Sequence, residues 1–273
     1  MGCDLHARQQ TLAMLDTGTG EVVNRTLTHE GNGVREFYST LPGPVRRGIE
    51  ATGSMKWFLH LMDELGIECQ TGHPATIRAA EPRRQKQGQR VAELLLNLLV
   101  ENRFPSIWQP SKELLDLRGL LLHRHRWVGL RTRMQNALQA IALAKGLRRG
   151  SSLWSQSGQQ AIASLPLATH AAHRRSELQA MYARFEAEIE QRNEQVLEQA
   201  GQRPTAGLLT THLGVGPITA LATDVFLGDP NRFRDGKALA SYSGIIPRKT
   251  PAGATADGRF EQARESAVAL SLV

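Results

Sequence analysis

The chain has 273 residues, 41% of them apolar, and a net charge of +7. That length and apolar content support a folded core and exclude wholesale disorder. Every apolar stretch is interrupted by charge or glycine before reaching membrane-spanning length, the start lacks a signal peptide's basic and apolar regions, and Cys3 and Cys69 lack metal-ligand spacing, so no membrane is expected and a reducing, cytoplasmic setting is.

Residues 1–80 alternate between strand and helix signals. Gly2 to Leu15 reads as one strand, stopped by the turn-rich Asp16-Thr17-Gly18-Thr19-Gly20. Glu21 to Leu27 reads as the returning strand of a hairpin. Val45 to Ala51 is a short apolar strand. Ser54 to Leu65 has helical spacing, with Trp57, Phe58, Leu61 and Leu65 on one side, and Gly66 stops it. Ile67 to Gly72 is strand-like again. Together these predict an α/β domain over residues 1–110 whose hairpin joins a mixed sheet.

The next part is helical. Gln89 to Val100 is a leucine-rich helix, ended by Phe104-Pro105. Ser111 to Ala144 continues the helical pattern, with arginine and leucine interleaved, until Gly150-Ser151-Ser152. Arg174 to Ala200 reads as a long polar helix with Leu178, Tyr182, Phe185, Ile189 and Val196 along one seam. Such a seam suits either a coiled-coil dimer or a helical hairpin packed on itself. Gly201 to Pro204 marks a boundary, giving a basic helical segment over 111–203 and a small helical domain over 204–273. In the latter, Gly214-Val215-Gly216-Pro217 before an apolar helix fits a helix-hairpin-helix turn offering backbone N–H groups to phosphate, or an ordinary tight turn.

Charge is unevenly distributed. No Asp or Glu occurs from Leu117 to Ser176, a stretch carrying Arg118, Arg124, Arg126, Arg131, Arg133, Lys145, Arg148, Arg149, Arg174 and Arg175. A block of this kind is the electrostatic footprint of a phosphate-backbone binder.

Asp4 and Glu50 stand at or near strand ends. An Asp in a first strand and a Glu ending a later one can converge at a sheet edge and hold a divalent cation for phosphoryl transfer. Each equally fits a plain turn or surface carboxylate.

Several segments together resemble the DEDD transposases of bacterial insertion sequences, RuvC-like recombinases guided by a bridge RNA. These are Gly2-Cys3-Asp4-Leu5-His6, Ile49-Glu50-Ala51-Thr52-Gly53, Gly214-Val215-Gly216-Pro217 and the run from Phe233-Arg234 through Leu239-Ala240-Ser241-Tyr242-Ser243-Gly244 to Pro247-Arg248. The resemblance spans residues 2 to about 258. It implies an RNase-H-like (RuvC-like) N-terminal domain, an all-α coiled-coil-like insertion and a C-terminal domain carrying a serine nucleophile. It also implies Asp4 and Glu50 as catalytic, Mg²⁺-binding acids. The implied nucleic-acid contacts are Arg83, Arg84, Lys86, Arg90, Arg124, Arg126, Arg131, Arg133, Gly214 and Gly216. The implied partners are the insertion sequence's DNA ends, target DNA, a structured guide RNA and further copies of the chain as a dimer or tetramer.

The chain departs from that family's pattern at three places. Where the family has its third and fourth acids, this sequence has Gly88 and Val91, which offer a cation no oxygen. Where the family has its serine, Pro251-Ala252-Gly253 leaves Ala252 without a hydroxyl. The final 14 residues, from Phe260, read as a frameshifted version of the family's text, because a one-nucleotide shift can restore Leu-Ser-Lys-Arg-Gly-Asn. The expectation is a degenerate, C-terminally truncated transposase that keeps nucleic-acid affinity and lacks strand transfer. The alternatives are a non-catalytic regulator of transposition and a junction nuclease using Asp4 and Glu50.

Overall fold

The structure is a computed structural model that describes residues 1–53, 55–80 and 88–244. The chain divides into two units, Met1–Gln109 and Pro110–Val273. The first contains strands β1 (Gly2–Leu5), β2 (Gln9–Leu15), β3 (Val22–Thr28), β4 (Arg46–Glu50) and β5 (Glu68–Gly72). Its helices are α1 (Gly33–Ser39), α2 (Met55–Glu64), α3 (Pro74–Ala80) and α4 (Gly88–Val100).

The strands form one mixed sheet in the order β3-β2-β1-β4-β5. β1, β2 and β3 pair antiparallel, while β1–β4 and β4–β5 pair parallel. The single strand expected from Gly2 to Leu15 is instead two. The chain reverses where the His6 amide donates to the Gln9 carbonyl at 3.0 Å, a turn without Gly, Pro or Asn to announce it. The expected turn at 16–20 does form: the Gly18 amide donates to the Asp16 side chain at 2.8 Å, and Gly20 takes a φ of 77°.

Alternation gives the sheet two apolar faces. On one face Cys3, Leu5, Leu12 and Ile49 meet Val34 and Tyr38 of α1 and Phe58, Leu61 and Met62 of α2. Trp57, expected beside Phe58, is 40% exposed and stands edge-on to His29 with ring centroids 4.7 Å apart. On the other face α4 lies directly on the backbone. A Cβ at Gly2 would sit 2.0 Å from the Ala92 carbonyl oxygen, and one at Gly48 would sit 2.5 Å from the Phe104 ring. α4 ends at Val100, as the leucine pattern predicts, with Asn102 just beyond it in a left-handed conformation at φ 52°.

Arg47 is fully buried in the first of these faces. Its guanidinium carbon lies 3.8 Å above the Tyr38 ring and 5.5 Å from that of Phe58, and its nitrogens reach the sulfurs of Met62 and Met1. It pairs with no carboxylate, and its Nε has no partner, among the described residues. Neither neighbouring thiol supplies an anion. Burial pushes Cys3 up to about 12 and Cys69 up to about 11, so both stay protonated at neutral pH. Ring faces and sulfurs replace an ionic partner here.

The second unit is helical. α5 (Lys112–Ala144) and α7 (Thr169–Gly201), each 33 residues long, flank a short 3₁₀ turn (Gly150–Trp154) and α6 (Gln156–Ala163); α8 (Pro204–Leu209), α9 (Pro217–Leu227) and α10 (Gly236–Tyr242) follow. Ser111 caps α5 by accepting from the Leu114 amide at 3.2 Å. α7 begins before the expected Arg174. α5 and α7 run antiparallel: Leu121 shares a cluster with Val196, and Leu138 shares one with Leu178 and Tyr182. Trp127 packs on Phe185 at 5.3 Å. The seam from Leu178 to Val196 is therefore filled by α5 of the same chain, which is the helical-hairpin alternative. A core of Leu117, Leu121, Val196, Ala200, Ala206, Ala220, Leu221 and Val225 joins α5, α7, α8 and α9, so the expected division between residues 203 and 204 falls inside it. Arg203 ties this core together, pairing with buried Asp224 and with Glu113 at 2.6 Å. Among the described residues no helix is long and apolar enough to cross a membrane.

Gly2→Ala is expected to lose about 1–3 kcal/mol by forcing α4 off the sheet, measured by urea denaturation. Arg47→Met keeps volume and removes a buried charge. It should match the parent or gain about 1–4 kcal/mol in the same measurement, and a large loss would show that the ring contacts outweigh desolvation.

Candidate functional site

β1 and β4 lie parallel with Gly2 opposite Gly48 and Cys3 opposite Ile49. Continuing that register sets Asp4 beside Glu50, the last residue of β4. Alternation puts both on the face covered by α4. Asp4 is 7% exposed, and its Oδ2 lies 3.1 Å from the His6 Nε2. Glu50 accepts from Arg78 of α3 at 3.4 Å through Oε1. Each acid thus has a basic side chain of this chain against it.

α4 begins directly over Asp4. A Cβ built at Gly88 would stand 3.1 Å from the Asp4 Oδ2 and 3.3 Å from the Thr11 Oγ1, so a carboxylate at this position would meet Asp4. With glycine there, His6, Thr11, Asn24, Arg25, Gly88 and Gln89 line a polar groove of about 330 Å³. Val91, one turn on, is half-buried and packs on the Ile77, Leu95 and Leu98 cluster. Glu93 is turned away toward β3, where its Oε1 accepts from Asn24 at 2.8 Å and from Gln89 at 3.1 Å.

This donor set does not suit Mg²⁺. A hard dication takes several oxygen ligands. Here two carboxylates are engaged by His6 and Arg78, and positions 88 and 91 add no oxygen. Among the described residues no three His, Cys, Asp or Glu side chains are grouped to hold a metal ion. Arg83, Arg84, Lys86 and Ala252 lie outside the described residues.

The basic block separates into two classes. Arg118 donates to the Val225 and Phe226 carbonyls at the end of α9, at 3.2 and 3.1 Å. Arg124 donates to Asn193 at 2.7 Å, and burial holds its guanidinium below its usual range. Arg131 pairs with Glu186 at 3.1 Å, and Arg175 donates to the Ile162 and Leu165 carbonyls. These four serve the unit's own packing. Arg126 and Arg133 are exposed; Arg90, outside this block in α4, is exposed as well. Gly214 (φ 84°) and Gly216, which precedes Pro217 at the start of α9, form the turn between α8 and α9, and a Cβ on either would meet open space.

A family profile described as a DEDD transposase of the IS110 type matches residues 1–145. The chain belongs to the IS110 transposase family. A second profile, described as transposase of the IS116/IS110/IS902 family, matches residues 206–268 and so continues past Phe260, where the frameshift was expected. A "Probable family 20 transposase" of Pseudomonas aeruginosa is 26% identical over 227 residues, 81% of this chain and 66% of that relative's length. DEDD transposase domains of this family generally use a divalent metal ion, which makes the donor set around Asp4 a departure within the family.

His6 was legible as a neighbour of Asp4, because residues two apart near a strand share a face. Arg78 and Thr11 carried no comparable signal. Gly88→Asp should create a metal-responsive site. Millimolar Mg²⁺ is expected to stabilise that variant by about 1–3 kcal/mol in thermal melts and to leave the parent unmoved. An equal Mg²⁺ shift in the parent would show that Asp4 and Glu50 already bind the ion.

Proposed function

We propose that this chain is a catalytically silent transposase of an insertion sequence which retains nucleic-acid binding. The observation that carries this reading is Gly88. The backbone delivers position 88 to contact distance of Asp4, yet the side chain supplies no oxygen. Asp4, Glu50 and position 88 meet at one face of the sheet, and the ligand set there is incomplete. Val91 packs in apolar surroundings, and Ala252 has no hydroxyl to attack phosphorus.

The sheet order supports an RNase-H-like, RuvC-like reading of residues 1–110: three antiparallel strands followed by two parallel ones. Helix α8, its glycine turn and α9 support a helix-hairpin-helix reading that contacts backbone without reading bases. On this reading the partners are the element's DNA ends, target DNA and a structured guide RNA. The regulator alternative drew on a free seam along α7, and α5 occupies that seam. The junction-nuclease alternative asks Asp4 and Glu50 alone to hold a metal while His6 and Arg78 engage them.

Strand cleavage and covalent protein–DNA adducts, assayed with Mg²⁺, the element's RNA and its DNA ends, test the proposal. The parent should give neither product. A chain carrying Gly88→Asp, Val91→Asp and Ala252→Ser with a restored family tail should give both. Adducts formed by the parent would refute the proposal.

A further inference from the structure

The helical hairpin carries its charge against the dipole of α7. A helix N-terminus favours acids and a C-terminus favours bases. Helix α7 starts with no side-chain cap at Ala168 and no acid in its first turn. Its exposed early residues include His170, His173 and Arg174, with Glu177 the one acid before Glu186, whereas Glu186, Glu188, Glu190, Glu194 and Glu198 gather toward its C-terminal half. Such an order weakens the helix, so stability does not account for it.

The antiparallel packing brings a second set of cations to the same end. Helix α5 finishes at Ala144, followed by exposed Lys145, Arg148 and Arg149. No acid lies between Leu117 and Ser176 to neutralise them. Lys145, Arg148, Arg149 and Arg174 form no ion pair among the described residues, unlike Arg131, which is paired to Glu186. The arginines of this block used for packing thus lie along the hairpin or turn inward; exposed Arg126 and Arg133 also lie along it, and Lys145, Arg148, Arg149 and Arg174 gather at its tip.

We infer that this tip, built from Lys145, Arg148, Arg149 and Arg174, is a docking surface for the phosphate backbone of duplex DNA, the partner class of a transposase. The inference deepens the proposed function and rests on its nucleic-acid reading. Packed helices stand about 8–10 Å apart, so these side chains span more than one phosphate. The local aromatics are not offered for base stacking: Trp154 and Tyr182 pack on each other at 5.4 Å beside buried Leu138 and Ile162. Contact to the backbone without base readout follows.

The test is fluorescence anisotropy of the full chain with a random-sequence DNA duplex and the RNA duplex of the same sequence, across a salt series. The variant carries Lys145→Glu, Arg148→Glu, Arg149→Glu and Arg174→Glu, and its Gln counterpart is run beside it. Affinity should fall about 10-fold or more, and the log–log salt slope should shrink by about 0.9 per lost DNA contact. The Glu changes at Lys145, Arg148 and Arg149 put acid at the C-terminal end of α5 and should lower the melting temperature slightly, whereas the Gln counterpart should hold it, which separates lost binding from lost fold. A loss confined to the RNA duplex would overturn DNA as the occupant. If the parent binds and both variants keep its affinity and slope, the tip is not the surface. If the parent binds neither duplex, the nucleic-acid reading itself fails, and this inference falls with it.

Discussion

The first unit depends on one contact, the seating of α4 on bare backbone at Gly2 and Gly48. A methyl group at Gly2 would stand 2.0 Å from the Ala92 carbonyl oxygen, so only glycine lets the helix approach this closely. That approach sets where α4 begins and places position 88 against the Asp4 carboxylate. It also orients Val91 onto Ile77 and turns Glu93 toward Asn24. The geometry that would assemble four acids is therefore maintained by contacts that involve none of them. Glycine at position 88 and valine at position 91 are thus accommodated without disturbing the packing of α4 on the sheet.

Charge is managed in three ways. At the acidic face, the His6 imidazole and the Arg78 guanidinium engage Asp4 and Glu50. In the core, Arg47 is held by ring faces and sulfurs. In the helical unit, Arg118 closes the carbonyl end of α9 while Arg203 bridges Asp224 and Glu113. A count of basic residues overstates what is available to a partner, because Arg118, Arg124, Arg131 and Arg175 are committed to internal bonds.

Elements bounded by strong turn or cap residues were legible in the sequence. The strand after Gly20, the strand through Glu50, the helix closed by Gly66 and the long helix capped by Ser111 form close to their expected bounds, although the strand after Gly20 is almost wholly exposed. The hairpin at His6–Arg8 was not legible, since its turn uses backbone bonds and no turn residue. The helices α1, α3 and α6 have seven or eight residues, too few to show a period. Trp57 misled because helical spacing does not say how wide the buried stripe is. At the site, the adjacency of Asp4 and Glu50 followed from strand placement. The importance of Gly88 and Val91 was legible only through the family's motif, since a glycine and a valine announce no chemistry. Arg78 sits on a helix that the sequence did not reveal.

The most direct test of the proposal that the acidic site holds no metal is Mn²⁺ binding to the unmodified chain, followed by electron paramagnetic resonance with Asp4→Ala as reference. The account predicts no protein-bound Mn²⁺ signal that depends on Asp4. One bound ion per chain, released by Asp4→Ala, would contradict it and show that Asp4 and Glu50 still form a working metal site.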